Sequence, residues 1–313
     1  MATFSWLVSY PKSGNTWFRI VTANLHADGD EPADINDLPE KIGISSARAP
    51  FDNIMLVDSD LLTHKECDRM RPLLYRAMAN AKGQNLAAAM QSAEEDHIKE
   101  PLKLIKCHDA WTYTDLGEPL LGGREAASNA ILIVRDPRDV APSLANHLSI
   151  SIDMAVEFMG NRKSSFCGDP ADYSSQLRQQ LPRWSGHTES WLDQTDIPVH
   201  LIRYEDMHAA PVDTIHAALT FAGRQVSRDA LAQAVDLASF DKLREQEART
   251  RFAEAIPGTT FFRRGRSGGW RDELMDRQVA RIEHDHAAMM DRLGYTRSYS
   301  PADLEQILGE NDA

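Results

Sequence analysis

The chain has 313 residues, of which 42% are hydrophobic and 26% charged, and its formal net charge is -13 at pH 7. These fractions are typical of a globular protein with a large core, and the acidic balance argues against nonspecific nucleic-acid binding, which needs many Lys and Arg contacts. Three cysteines without C-x-x-C spacing argue against a disulfide framework or a Cys-rich metal site. Without a signal peptide or an apolar run of roughly 18 residues, we expect a cytoplasmic protein with no membrane insertion.

A short apolar run, Phe4 to Ser9, opens the chain and is followed by a turn and a helical pattern from Trp17 to Leu25. This order predicts a strand, a loop and a helix. Backbone N–H groups at a helix start are unpaired, and the loop residues Lys12, Ser13 and Thr16 add donors, so the loop predicts a site for a phosphate-like anion. It is P-loop-like but not the nucleotide P-loop, because the lysine precedes the glycine.

The next hundred residues carry weaker signals. Three prolines interrupt residues 28–58, which we therefore expect to be irregular. Residues 59–98 have helical character, with Pro72 opening a second helix and a further helical stretch from Leu86 to His97. These helices are expected to form one wall of a cleft.

Three further apolar runs predict strands, at residues 102–107, 130–134 and 198–203, and each ends in polar residues. Helical patterns fill the intervals at 139–149, 152–162, 174–194, 211–223 and 228–237. Alternating strands and helices predict an α/β fold with a central parallel sheet flanked by helices, and open sheets of this kind bind ligands at the carboxyl ends of their strands. No linker divides the chain, so we predict a single domain over residues 1–313 with a short C-terminal tail from about residue 298.

Four motifs occupy the predicted strand ends and loops: YPKSGNTW at residues 10–17, IKCHD at 105–109, VRDPRDVAPS at 134–143 and FFRRGRSGGW at 261–270. Their order and spacing resemble the cytosolic-type, PAPS-dependent sulfotransferases, in particular bacterial-like small-molecule members. PAPS is 3′-phosphoadenosine 5′-phosphosulfate. The resemblance implies transfer of a sulfuryl group from PAPS to a hydroxyl, or as a second choice an amine, of a small-molecule acceptor, with no metal required.

The resemblance also assigns roles to individual residues. The first motif would surround the phosphosulfate and adenine with Lys12, Ser13, Gly14, Asn15, Thr16 and Trp17. The 3′-phosphate and the rest of the adenine site would be formed by Arg135, Ser143, Tyr204, Phe240, Arg263, Arg264 and Gly265. His108 would be the general base, Lys12 would lie near the bridging oxygen, and Lys106 would contact the sulfuryl oxygens. The residue chemistry agrees, because PAPS has two separated anionic groups and an arginine fork suits a terminal phosphate.

Some residues depart from the family pattern. Asn15 replaces a common threonine, Cys107 replaces Thr or Ser before the histidine, and Gly269 stands where many members have Asp. We interpret Cys107 as a packing residue, since direct transfer needs no covalent intermediate.

Other interpretations remain open. Each motif alone also fits an ordinary structural role, and the rival functions are an ATP-dependent small-molecule kinase and a noncatalytic nucleotide-binding module. The acceptor and the oligomeric state are left open. Five apolar residues fit either an acceptor pocket or the core: Met154, Phe158, Met159, Phe166 and Trp184.

Overall fold

The structure is a computed structural model that describes residues 4–27, 29–38, 43–80, 104–169, 174–256 and 258–309. The strands in these ranges are β1 Phe4–Ser9, β2 Leu104–Cys107, β3 Ala127–Val134, β4 Ser165–Phe166, β5 Gln179–Gln180 and β6 Val199–Arg203. The helices are α1 Asn15–Ala27, α2 Arg48–Met55, α3 His64–Asn80, α4 Pro137–Leu148, α5 Ile152–Gly160, α6 Trp184–Asp193, α7 Tyr204–Ala209, α8 Pro211–Phe221, α9 Arg228–Leu237, α10 Phe240–Thr250, α11 Asp276–Arg292 and α12 Pro301–Gly309.

The central sheet has the strand order β2, β1, β3, β6, and every neighbouring pair in it is parallel. Val8 lies opposite Cys107 on one side and Leu132 on the other, and Leu132 in turn lies opposite Leu201. The strands therefore end at one edge of the sheet, and the loops that carry three of the four motifs meet there. The predicted α/β class with a parallel sheet flanked by helices is confirmed.

Both faces of the sheet are covered. All six residues of β1 are buried: Trp6 and Val8 join the core on one face, while Leu7 joins the core on the other face with Phe18 and Ile131. Burial on both sides explains why the strand sequence is continuously apolar rather than alternating. No helix in the described ranges is long and apolar enough to cross a membrane.

Several helix predictions were wrong. Residues 28–58, expected to be irregular, contain α2, whose Pro50 lies in the first turn, where an N–H has no helical partner. Helix α3 continues through Pro72 instead of restarting there. The helix expected from residue 174 begins only at Trp184, because β5 precedes it. The predicted helix from Leu86 to His97 lies outside the described residues.

Candidate functional site

A cleft of about 920 Å³ opens at the carboxyl edge of the sheet. Its walls come from the loops after β1, β2 and β3, from α7, and from residues 253–256 and 261–266, which follow α10. Of the residues singled out in the sequence, the following line it: Lys12, Gly14, Asn15, Thr16, Trp17, Lys106, His108, Arg135, Ser143, Tyr204, Phe240, Arg263, Arg264 and Gly265. Ser13 is not part of the lining. It is buried, and its Oγ has no hydrogen-bond partner in the part of the chain that the structure describes.

The loop before α1 contains residues with positive φ, a backbone conformation that glycine adopts more readily than other residues. Lys12 has φ 69° and Gly14 has φ 106°. A Cβ atom at Gly14 would lie 2.6 Å from Cδ2 of Tyr204, so the glycine allows the loop to approach α7 closely. The side chain of Asn15 donates to the carbonyl oxygen of Leu7 at 3.0 Å and thereby fixes the start of α1 to β1.

His108 follows β2 and is only 9% exposed. Its Nδ1 lies 2.7 Å from the carbonyl oxygen of Ser9. Because a carbonyl oxygen only accepts hydrogen bonds, Nδ1 carries the proton in the neutral ring and Nε2 keeps a free lone pair. Burial lowers the pKa of His108 well below its usual value, and the nearby positive charge of Lys106 lowers it further. The imidazole is therefore neutral at pH 7.

Two lysines face the same part of the cleft. The ammonium group of Lys12 lies 3.6 Å from the ring centroid of Phe261. Burial, followed by the charge of Lys106, lowers the pKa of Lys12 to about 7. Lys106 Nζ lies 2.9 Å from Oε2 of Glu254, whose Oε1 lies 2.6 Å from Nη1 of Arg19. Sequence reasoning missed Glu254, which lies outside the four motifs.

Arg135 connects the first and fourth motifs. It donates to the carbonyl oxygens of Lys12 at 3.3 Å and Arg266 at 3.0 Å. Its guanidinium carbon lies 4.3 Å from the ring centroid of Tyr204, and its buried Nε has no partner among the described residues. Arg135 therefore has a fixed position and retains a donor for a ligand.

The fourth motif is held to the start of α4 by a carboxylate that the sequence analysis gave no role. Asp139 accepts hydrogen bonds from the backbone N–H of Gly268 at 2.6 Å and of Trp270 at 2.8 Å. The motif VRDPRDVAPS thus contains both an arginine that lines the cleft and the acceptor that fastens the next lining segment. In the sequence, Asp139 is marked only as an acidic residue in the first turn of a helix. That feature is too common to predict which groups the carboxylate contacts.

The arginines of the fourth motif are themselves paired with a carboxylate. Arg263 Nη2 and Arg264 Nε lie 3.1 and 3.2 Å from Oε1 of Glu273. Arg266 pairs with Asp272. Both acidic residues come shortly after the motif in the sequence. The sequence therefore shows that they are close to the arginines, but not that they pair with them.

Aromatic residues also line the cleft. Trp17 donates from Nε1 to the carbonyl oxygen of Ala238 at 3.0 Å, and its ring packs edge-on near Tyr204. Phe240 lies so close to Gly265 that a Cβ there would be 2.1 Å from its Cδ2. These rings offer flat surfaces on which a nucleobase can stack.

Cys107 lies outside the lining of the cleft and is fully buried. Burial raises the pKa of its thiol to about 12, so the thiol is not a nucleophile at neutral pH. Of the apolar residues considered for an acceptor pocket, Phe166 lines the cleft, whereas Met159 and Trp184 lie in the core and Met154 is exposed. Across the described ranges no group of three or more His, Cys, Asp or Glu is arranged to hold a metal ion.

Two sequence relatives cover most of the chain. The flavonol 3-sulfotransferase of Flaveria bidentis is 23% identical in an alignment of length 296 that covers 88% of this chain and 78% of that protein. Sulfotransferase 1A1 of Canis lupus familiaris is 26% identical in an alignment of length 294 that covers 91% of this chain and 83% of that protein.

A solved structure of retinol dehydratase in complex with androsterone and the inactive cofactor PAP has a TM-score of 0.55 to this structure at 19% identity. The match covers 96% of this chain and 83% of that one, and at this identity it shows the shared fold. The family model for the sulfotransferase domain matches residues 3–294. Because that match extends over nearly the whole length, the chain belongs to the sulfotransferase family, as its motifs predicted.

Proposed function

We propose that this sulfotransferase transfers the sulfuryl group of PAPS to a hydroxyl of a small-molecule acceptor, with an amine as the second choice. The observation that carries the proposal is one cleft in which a basic helix-start loop, an arginine-rich end and a neutral histidine come together. We further propose that the protein acts in the cytoplasm, and we treat residues 1–313 as one domain.

The residues present fit PAPS. The start of α1 and Lys12 supply donors for a phosphosulfate. Arg135 has an unpaired buried Nε, and it lines the cleft together with Arg263. A 3′-phosphate bound there would compete with Glu273 for the arginine fork. The aromatic residues of the cleft suit the adenine.

The chemistry follows from the geometry of the chain's own residues. PAPS supplies an electrophilic sulfur with a phosphate leaving group. His108, held by Ser9 with Nε2 unprotonated, takes the proton of the acceptor hydroxyl. Lys12 neutralises the charge that develops on the leaving oxygen, and Lys106 orients the sulfuryl oxygens.

The two alternative functions are less well supported than sulfuryl transfer. Membership of the sulfotransferase family favours sulfuryl transfer over ATP-dependent phosphoryl transfer. A noncatalytic nucleotide-binding module would tolerate the loss of His108, so the assay with His108→Ala separates it from an enzyme. The names of the relatives support a small hydroxylated acceptor, since one is a flavonol sulfotransferase.

The test is transfer from radiolabelled PAPS to a panel of hydroxylated and aminated small molecules, with a parallel panel containing ATP and magnesium. Labelled sulfate esters that form with the wild-type protein and not with His108→Ala support the proposal. Phosphorylated products from ATP, with no transfer from PAPS, would establish the kinase instead.

A further inference from the structure

Glu254 places a carboxylate among the cations of the cleft. It lies 2.9 Å from Lys106 and 2.6 Å from Arg19, and it lines the same cleft as Lys12 and His108. Burial acts to raise its pKa, but the charges of Lys106 and Arg19 outweigh burial and lower the pKa to about 2. The group is therefore ionised at neutral pH and too weak a base to replace His108.

The fixed negative charge of Glu254 repels PAPS, the anionic ligand that the site is proposed to bind. The sulfuryl oxygens of PAPS would approach the same ammonium group that Glu254 holds. Like charges repel strongly at short range in a partly buried site, and one ammonium group satisfies two anions poorly. The carboxylate and the sulfuryl group therefore compete for Lys106.

We propose that Glu254 is a positioning residue that acts through Lys106: it draws this ammonium group away from the sulfuryl oxygens and so weakens the binding of PAPS before transfer. This inference rests on the proposed function. The charge of Glu254 also raises the pKa of Lys12, an effect that reaches both nucleotides. The competition for Lys106 concerns the sulfuryl group alone, because the product nucleotide has lost that group and leaves Lys106 to the carboxylate.

The same competition promotes transfer. The acceptor oxygen forms a bond to sulfur while the bond from sulfur to the bridging oxygen breaks. The electron pair of the broken bond goes to the 5′-phosphate, and the acceptor proton goes to Nε2 of His108. In a loose transition state negative charge moves onto the leaving oxygen. The sulfuryl oxygens, which compete with Glu254 for Lys106, lose that charge, so the repulsion is greater before transfer than during it, and kcat rises.

The test is Glu254→Gln, which keeps the side-chain length and an oxygen that can accept from Arg19. Calorimetry would measure the Kd of PAPS and of adenosine 3′,5′-bisphosphate, which lacks the sulfuryl group. Removal of one interacting charge should tighten PAPS binding about tenfold relative to the bisphosphate, because the change in the pKa of Lys12 affects both nucleotides and cancels in the ratio of their Kd values. At saturating PAPS the rate of acceptor-free hydrolysis, followed as released radiolabelled sulfate, should fall.

The matched control is Glu247→Gln. Its carboxylate accepts from the backbone N–H of Phe261 at 2.6 Å and Phe262 at 2.9 Å, so it supports the same segment without holding Lys106. This control should alter the Kd of both nucleotides by a similar factor. If Glu254→Gln fails to fold, Glu254→Asp shortens the side chain and should shift the ratio of the two Kd values in the same direction.

An unchanged ratio of the two Kd values, or a saturated hydrolysis rate that does not fall, overturns the inference about Glu254. The proposed function fails separately if wild-type protein binds neither PAPS nor the bisphosphate more tightly than AMP. The wild-type measurements therefore distinguish the two failures.

Discussion

The imidazole of His108 donates its Nδ1–H to the carbonyl oxygen of Ser9 at 2.7 Å. This bond connects the end of β2 to the end of β1, the strand that leads into the helix-start loop. It fixes the ring orientation and presents Nε2 as the basic nitrogen. The position of this proposed base is therefore set by two adjacent strands of the sheet.

His108→Ala should lower the single-turnover rate of sulfuryl transfer by about 10²–10⁴-fold, the usual contribution of a general base. The Kd of adenosine 3′,5′-bisphosphate should change little, because the predicted nucleotide contacts lie elsewhere in the cleft. Rapid-quench assays at saturating PAPS, with an acceptor found in the panel, would measure the rate. Retention of more than about a tenth of the wild-type rate would mean that another group removes the proton.

The pH dependence of the same rate is a separate prediction. The pKa of His108 is well below its ordinary value, and the base form is the one present above the pKa. Lowering the pH from 8 to 6 should therefore not protonate His108. A rate that falls by half near pH 6.5 in the wild-type protein, and not in a variant lacking the imidazole, would contradict the structure.

Nucleotide binding should weaken as the pH rises above 7. Burial and Lys106 lower the pKa of Lys12 in the free protein to about 7, so Lys12 loses its charge above that pH. A bound anion favours the charged form, and binding at pH 8 must then take up a proton. The Kd of the bisphosphate should rise by up to about tenfold per pH unit. Calorimetry in two buffers of different ionisation enthalpy would detect the proton.

Lys12→Met is the control for that proton. The variant should bind the bisphosphate more weakly at pH 6 and should lose most of the pH dependence above pH 7. The same proton uptake in the variant as in the wild-type protein would place the titrating group elsewhere.

The sequence was most informative where polar residues follow directly after an apolar run that predicts a strand. The apolar run before Lys12 predicted β1, and polar residues after each apolar run predicted which edge of the sheet holds the cleft. Parallel pairing aligns those ends, so residues such as His108 and Arg135 were correctly expected to share one cleft. Regular pairing makes such an inference possible without knowledge of side-chain contacts.

The sequence was least informative about long-range charge pairs. Glu254 lies in no motif, and its pairing with Arg19 depends on where the segment after α10 returns to the sheet. Glu273 was visible in the sequence near the arginines, but its pairing with Arg263 and Arg264 was not. Prolines also led to wrong helix predictions, since Pro50 and Pro72 both lie inside helices. Tertiary packing decides these cases, and it outweighs local propensity.

The last prediction concerns the two hydrogen bonds by which Asp139 holds the fourth motif. Asp139→Asn leaves one oxygen for two backbone donors, at Gly268 and Trp270, and turns an amide N–H towards one of them. Hydrogen bonds to charged groups contribute about 1.5–3 kcal/mol, so the segment that carries Arg263 should lose its fixed position.

The expected effect is confined to the binding of nucleotides that carry a 3′-phosphate. Wild-type protein should bind adenosine 3′,5′-bisphosphate at least about tenfold more tightly than AMP, because we propose that the arginines of the fourth motif contact the 3′-phosphate with charged donors. Asp139→Asn should reduce that preference while leaving the Kd of AMP nearly unchanged. Asp272→Asn is the matched control, since this exposed residue pairs with Arg266 and lies 3.7 Å from Arg264 on the same segment but makes neither backbone bond. It should retain most of the preference. Equal preference in wild-type protein and Asp139→Asn would mean that the 3′-phosphate is bound without the segment that Asp139 fastens.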